Sequence, residues 1–513
     1  MRSLPAIDLL VLAVYVTAVI GWSLALSRRS RTPAGFVAAG GALPGWAVGL
    51  SLFGTFLSSN TFLGVPGKAF AEDWNSFVFS LTLPLAAWIA VRWFVPFYRR
   101  GDSLSAYEHL ERRFGRWART YGMLCYLLTQ LARIGAILFG MALALGPLTG
   151  WRPAAVILAT GVIVTLYTLI GGIEAVVWTD VIQSIVLGVG ALLVLVVLIA
   201  GMPGDLIEGA ARVIEIGAAD GKWSLGRLAP GLTTSTFWVV LLYGLFINLN
   251  NFGIDQSYVQ RYHVARSERA ARASVWLAAL LYVPVSALFF LIGTALYADL
   301  SVHPERWRAL VDAVDGTGRA IPQIADRAFP HFIVEALPTG VSGLIVAALF
   351  AAAMSSIDTS LNSSATVIES DLYRTYVAPD ANERAQMRVL RGATIAVGAL
   401  GTATALAMIG VESLLDAWWM LSGIFAGGLL GLFLLGMIVR RAGRPAAACG
   451  VVSGVLVIGW MTLSPRLPES MAWLRSPLHA NLVIVVGTLT IFAVGAAVAG
   501  AAGEPLGENA RRT

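Results

Sequence analysis

The chain has 513 residues, of which 57% are hydrophobic and 13% charged, with a mean hydropathy of +0.74. Soluble domains carry roughly 25% charged residues, so a soluble enzyme is excluded, and the 53 glycines and 16 tryptophans suit helices packed in lipid with aromatic rings at its interfaces. The formal charge of +6 does not indicate nucleic acid, because the arginines are scattered in short loops between apolar runs and lysine is confined to Lys68 and Lys222. Cys125 and Cys449 lie in apolar stretches and form neither a disulfide framework nor a cysteine metal site.

A bilayer crossing needs about 20 mostly apolar residues. That rule predicts thirteen spans, at 5–26, 44–71, 75–97, 117–147, 153–170, 173–201, 233–253, 271–299, 337–373, 389–409, 411–439, 445–463 and 479–502. Dividing the crowded 389–439 stretch differently gives twelve or fourteen. The first run is too long for a signal-peptide core and leads to Ser27-Arg28-Arg29 rather than a cleavage site, so it is read as a retained span.

Basic residues set the orientation. Arg28, Arg29 and Arg31 follow the first span, and Arg99, Arg100, Arg112, Arg113, Arg116 and Arg119 follow the third. Arg261, Arg266, Arg269 and Arg272 follow the seventh, Arg374, Arg384 and Arg388 the ninth, and Arg440, Arg441 and Arg444 the eleventh, while Arg511 and Arg512 close the chain. With thirteen alternating spans all of these fall on one side. This predicts a multi-pass plasma-membrane (inner-membrane) protein with its N-terminus outside, its C-terminus inside and a short cytoplasmic tail at 503–513. The loops at 202–232 and 300–336 are then external, and residues 103–114 form an amphipathic helix on the cytoplasmic surface. No separate soluble domain is evident; 1–513 reads as one transmembrane unit.

Span two (GWAVGLSLFGTFLSSNTFLGVPGKAF) holds Gly54, Ser58, Ser59, Asn60, Thr61, Gly64, Pro66 and Gly67, too many breakers and polar groups for a plain lipid-facing helix. Broken backbone at membrane depth is tolerated where it lines a cavity or is buried in protein. Span seven repeats the pattern with Asn248, Asn250, Asn251, Gly253, Asp255 and Gln256. Paired interrupted helices that open two halves, here 44–201 and 233–439, point to a transporter's midplane site; the alternative is kinked helices packed by small residues.

Span nine carries AALFAAAMSSIDTSLNSS, in which Ala352, Ser355, Ser356 and Thr359 share one helical face with Asp358 at its edge. Hydroxyl and carbonyl oxygens are hard donors suited to sodium, and carbonyls freed at the break in span two could complete such a site. A small-residue packing seam is the alternative, weakened by Asp358, because a carboxylate in a span is costly. Asp180, seven residues inside span six, can complete a cation site, relay a proton or pair with an arginine. Arg133, deep in span four, either receives a carboxylate in its planar fork or bonds helix-end carbonyls. Five dispersed histidines give no metal spacing, and no Walker motif or nucleophile constellation stands out.

These segments resemble the sodium/solute symporter family over nearly the whole chain. The resemblance rests on GGALPGWAVGLSLFGTFLSSNTFLGVPGKAF, LYTLIGGIEAVVWTDVIQ, DQSYVQRY and AALFAAAMSSIDTSLNSS. Within that family the chain is most similar to bacterial sialic acid transporters. The likeness implies an all-α integral membrane fold of the LeuT type, with inverted five-helix repeats whose first helices are broken. It implies a principal sodium site at the Gly54 and Leu57 carbonyls with Ala352, Ser355 and Ser356, and a second at Asp180, Ser355, Asp358 and Thr359. Arg133 matches the arginine that holds the substrate carboxylate, and Ser58 and Thr61 match polar contacts. Asn60, Ser76, Ser80 and Asn248 complete the expected substrate set.

The chain departs from the sialic acid transporters at Asp358, where they have serine, at Ser76 and Ser80, where they have Phe and Gln, and at Phe56, which replaces a threonine. The expectation is therefore a sodium-coupled symporter, not an enzyme, that imports a small organic anion such as sialic acid, a related acidic sugar or a smaller carboxylate. Sodium is its coupling ion and the bilayer its only partner, with no nucleic acid and no obligate protein. Alternatives are the same scaffold carrying a neutral sugar, polyol or amino acid, with proton coupling through Asp180 or Asp358, or a membrane sensor that does not transport.

Overall fold

The apolar runs fold as helices, which satisfy every backbone polar group within a segment that has no water to bond. The structure, a computed structural model, describes residues 5–26, 30–101, 104–311, 322–410 and 414–501. Among them β-type pairing is limited to an isolated bridge between Leu43 and Ala265.

In chain order the helices are α1 (Ala6–Leu26), α2 (Gly45–Phe56), α3 (Ser59–Ala71), α4 (Asn75–Arg100), α5 (Arg116–Thr149) and α6 (Pro153–Ala200). Then come α7 (Leu206–Ala219), α8 (Phe237–Ile254), α9 (Gln256–Val264), α10 (Glu268–Val302), α11 (Pro322–Glu335) and α12 (Val341–Val367, continued in a wider coil to Val377). The last are α13 (Glu383–Ala407), α14 (Leu414–Ala426), α15 (Leu429–Ile438), α16 (Arg444–Leu463) and α17 (Val483–Ala501).

Among the described residues eleven helices are long and apolar enough to cross a bilayer, or twelve when the bent α2–α3 pair is taken as one. The thirteen expected from the sequence is reached only if α6 is divided. A continuous helix of 48 residues would reach about 72 Å, more than twice a hydrocarbon core of about 30 Å. Within α6, Gly172 leaves helical geometry at φ 61° and ψ −172°. A Cβ there would stand 2.7 Å from Ser30 Oγ, and Ser30 Oγ donates to the Gly171 carbonyl at 2.6 Å.

Several expectations about connecting segments change. DQSYVQRY is not a loop but the start of α9, packed inside the protein. Of the described residues 104–114 only Glu108–Phe114 is helical, and Ser105 turns inward to donate to a buried carboxylate, Asp371, at 2.7 Å. The long connections contain the helices α7 and α11. The tail at 503–513 lies outside the described residues.

Helix α12 is the centre. Every residue from 345 to 367 is buried, between α1, α5, α6 and α2. Its N-terminus is capped by Asp8 of α1, whose Oδ1 accepts from the Gly340 and Gly343 amides at 2.6 and 2.9 Å, a favourable place for an anion. Opposite, α10 lies so close on α3 that a Cβ on Gly293 would fall 2.3 Å from the Pro66 carbonyl oxygen.

Candidate functional site

The site begins with a helix that stops at membrane depth. Leu57 and Ser58 are extended (φ −91°, ψ 119° and φ −130°, ψ 174°), and the two halves of the span meet at 52°. Such an end leaves carbonyls without helical partners, and buried carbonyls must find others. Each one does. Gly54 O accepts from Ser355 Oγ at 3.3 Å, Thr55 O from Arg133 Nη2, Phe56 O from Thr61 Oγ1 at 3.4 Å, and Leu57 O from Ser356 Oγ at 3.1 Å. Ser355 Oγ also reaches Ala352 O at 3.1 Å. All five groups expected to hold the principal sodium ion are therefore gathered between α2 and α12. Among the described residues no group of three or more His, Cys, Asp or Glu is placed to hold a metal; the donors here are hydroxyl and carbonyl oxygens, the chemistry of a hard cation.

One turn further along α12 the arrangement differs from expectation. Asp180 and Thr359 come together, but Arg261 stands between them. Its Nη2 donates to Asp180 Oδ2 at 2.9 Å and to Thr359 Oγ1 at 2.6 Å, its Nε to Ser51 Oγ at 2.8 Å and its Nη1 to Ser257 O at 2.7 Å. Arg261 is 1% exposed, so its assignment to a surface loop is corrected: it belongs to the second half of a broken span and pairs with Asp180. Asp358 bonds the first arm of α6 instead, where its Oδ2 accepts from Tyr167 OH at 2.7 Å and its Oδ1 has no partner. Ser355, Asp358, Asp180 and Thr359 thus surround one buried polar region, with an arginine holding two of the four.

The second break repeats the logic of the first. Asp255 is extended (φ −76°, ψ 119°), and its Oδ1 caps α9 by accepting from Ser257 N at 2.8 Å. The freed carbonyls of Phe252 and Gly253 accept from Tyr262 OH and Tyr98 OH, at 2.8 and 2.7 Å.

A cavity opens beside the first break, and its wall includes Ser58, Thr61, Ser76, Ser80 and Arg133. Arg133 bonds the Thr55 carbonyl, as the helix-end reading expected, and it also lines the cavity. The side chain of Asn60 lies outside the described residues. Asn248 is not in the wall: its Nδ2 donates to Thr82 Oγ1 at 3.0 Å, because the cavity face of α8 carries Ile247, Asn250 and Asn251, one helical phase away. Asp255, one of the polar residues noted in span seven, also lines the cavity, as do Gln130 and Lys68, which the substrate set omitted; their signal was helical phase, since Lys68 follows Thr61 by seven residues on the same face. Phe56 forms an aromatic floor with Tyr258 and Tyr282, ring centroids 4.8 and 5.4 Å away.

A broken helix crossing a buried helix at a knot of hydroxyl and carbonyl oxygens, with a polar cavity alongside, defines a LeuT-type secondary transporter. The chain belongs to the sodium:solute symporter family, whose model matches residues 36–454; this is a family of transporters, not of enzymes. It is 33% identical to a sodium/sialic acid symporter of Aliivibrio fischeri, over 96% of this chain and 93% of that one. It is 32% identical to a sodium/sialic acid symporter of Proteus mirabilis, over 94% of each. The solved substrate-bound, outward-open structure of a Na+-coupled sialic acid symporter aligns at a TM-score of 0.85 with 30% identity, over 97% of this chain and 98% of that one.

Proposed function

We propose that this protein uses the inward sodium gradient to import sialic acid or a closely related acidic sugar. One observation carries the reading: Arg133 lines the cavity at the break whose neighbouring carbonyls, Gly54 and Leu57, meet Ser355 and Ser356. An ion held by those oxygens fixes α2 against α12. That fixes the Thr55 carbonyl and, through it, the guanidinium that receives the carboxylate. Sodium and acid then favour the same conformation, and a ligand shifts such an equilibrium only by its differential affinity for the two states.

The orientation follows the arginine rule, with the N-terminus and the α3–α4 turn outside and the α9–α10 turn inside, in a bacterial inner membrane. The two repeats are 44–201 and 233–439, each opened by a broken span, and they rock against each other about the site. A second sodium ion takes Asp180, Ser355, Asp358 and Thr359, with Arg261 as its competitor for two of these. No observation favours a neutral cargo over an acid.

The test is uptake into proteoliposomes of sialic, uronic and short carboxylic acids and neutral sugars, driven by sodium or by protons. Sialic acid uptake that needs sodium, and is lost in Arg133→Ala while sodium still stabilises that variant against heat, supports the reading. Uptake in Arg133→Ala equal to wild type removes the carboxylate role, and uptake that follows pH but ignores sodium removes the coupling.

A further inference from the structure

The connection between α15 and α16 carries charge of one sign. α15 ends at Ile438 and α16 begins at Arg444, and each ends a helix long and apolar enough to cross a bilayer. The residues between them, 439–443, can reach only about 17 Å when fully extended, so the connection lies at the depth of the lipid headgroups. It is a tight turn, closed by the Ala442 amide on the Val439 carbonyl at 3.0 Å. Arg440 and Arg441 are its two central residues; both are exposed, as is Arg444. The short helix Glu108–Phe114 fastens the turn from the side: Arg113 Nη2 donates to the carbonyls of Val439 and Arg440 at 2.9 and 3.2 Å. Arg444 lies against Gly115, where a Cβ would stand 3.0 Å from its Nε. Four arginines are thus collected on one short stretch of surface.

The carboxylates of that short helix are committed elsewhere, Glu111 to Arg119 and Arg116 at 2.6 and 3.6 Å and Glu108 to Arg112. Among the described residues no carboxylate forms an ion pair with Arg113, Arg440, Arg441 or Arg444, and Arg113 Nε has no partner. At headgroup depth the bilayer itself offers the missing anion. The guanidinium fork matches phosphate oxygens two at a time, and each basic residue beside an anionic lipid surface strengthens attachment by about fivefold. The flanks suit the rest of a lipid: Ile438 is 60% exposed and Trp117, next but one to Gly115, is 37% exposed, an apolar side chain and an aromatic ring of the kind found at membrane interfaces. A soluble anion would meet the same charges but would gain nothing from the apolar flank.

We propose that the α15–α16 turn is a binding surface for an anionic phospholipid, its phosphate seated on Arg440, Arg441 and Arg444 beside Arg113 and its acyl chains along Ile438. The surface is separate from the transport site and does not depend on which solute is carried. The test titrates the detergent-purified full-length protein with phosphatidylglycerol, cardiolipin, phosphatidylcholine or inorganic phosphate and reads the rise in Tm. Wild type is compared with Arg440→Ser/Arg441→Ser, which leaves Arg113 and its bonds to the turn in place, and with Arg440→Lys/Arg441→Lys. A third pair, Arg384→Ser/Arg388→Ser, removes the same charge from exposed positions of α13. The expected result is that phosphatidylglycerol and cardiolipin stabilise the wild type whereas phosphatidylcholine and inorganic phosphate do not. The lipid concentration at half-effect rises at least tenfold in the serine pair at the turn, two- to fourfold in the lysine pair and less than twofold in the α13 pair. An equal rise in the α13 pair would mean a diffuse charged surface and overturns the proposal. So does equal stabilisation by phosphatidylcholine, or by inorganic phosphate alone, which would make this a site for soluble anions. The lipid-free Tm of each variant reports whether it folds; if the serine pair does not, Arg440→Gln and Arg441→Gln are titrated singly, each with an expected rise of at least threefold, and unchanged midpoints in both overturn the proposal.

Discussion

Arg261 and Asp180 form a fully buried ion pair, Nη2 to Oδ2 at 2.9 Å, with side chains 1% and 0% exposed. The pair links the second half of one broken span, α9, to the second arm of α6, and Ser51 of α2 bonds both partners: it donates to Asp180 Oδ2 at 2.5 Å and accepts from Arg261 Nε. Three elements are therefore joined at one point. Arg261→Met leaves Asp180 buried without its counter-charge and is expected to cost about 3–5 kcal/mol, seen as a lower Tm of the detergent-purified protein. Adding Asp180→Asn should recover part of that loss, since the orphaned charge goes with it. Equal Tm values for the single and double variants would mean that the pair is not coupled.

The two serines facing the break act on the ion in different ways. Ser356 Oγ has its contact with Leu57 O, whereas Ser355 Oγ is shared between Gly54 O and Ala352 O. Ser355 is also expected in both cation sites, so Ser355→Ala removes a donor from each. It should raise the sodium concentration for half-maximal uptake by about tenfold, equivalent to roughly 1.4 kcal/mol. Ser356→Ala should produce a smaller rise and leave the steepness of the sodium dependence unchanged. Sodium titrations of thermal stability and of uptake read both effects, and unchanged midpoints in both variants would count against this ion site.

How much of this was legible in the sequence depended on whether local pattern or three-dimensional partnership decided the matter. Ser355 and Ser356 could be read because a hydroxyl-rich helical face supplies what carbonyls freed at a helix break lack, while Gly54 and Leu57 were implied by the family resemblance. Arg261 could not, because DQSYVQRYHV is polar enough to pass for a loop and only packing reveals it as the second half of a broken span. The same packing pairs Asp180 with Arg261, one of the three roles its position in the sequence left open. Asn248 failed for a smaller reason: among three asparagines in four positions, composition does not say which phase faces the cavity. The division of the long apolar run at 170/173 was legible from its paired glycines, and it falls where Gly172 leaves helical geometry.

That phase difference can be measured. Asn248 is buried, gives its amide hydrogen to Thr82 and leaves its Oδ1 without a partner. Asn248→Ala is expected to lower stability by about 1 kcal/mol while KM stays within twofold. Asn251, on the cavity wall, should behave in the opposite sense: Asn251→Ala raises KM with little change in Tm. If Asn248→Ala raised KM instead, the Thr82 contact would have to give way during binding.

His109, on the short helix Glu108–Phe114, offers a pH test away from the spans. Its ring is held edge-on between Phe97 and Phe433, at centroid distances of 4.9 and 5.7 Å. Burial, helped by the nearby Arg113 and Arg112, pushes its pKa down from 6.5 to about 4. In the folded protein the imidazole stays neutral where the unfolded chain already binds a proton, so between pH 6.5 and about 4 the unfolded state takes up more protons. The contribution to stability is complete above pH 6.5, is lost progressively as the pH falls towards 4, and amounts to roughly 3 kcal/mol at most. His109→Phe keeps an aromatic ring between Phe97 and Phe433 but cannot titrate. Thermal unfolding from pH 7.5 to 4.5 should therefore show a shallower loss in the variant than in wild type, both measured in sodium. Parallel curves would place the imidazole in contact with water, since only a desolvated ring resists protonation in this way.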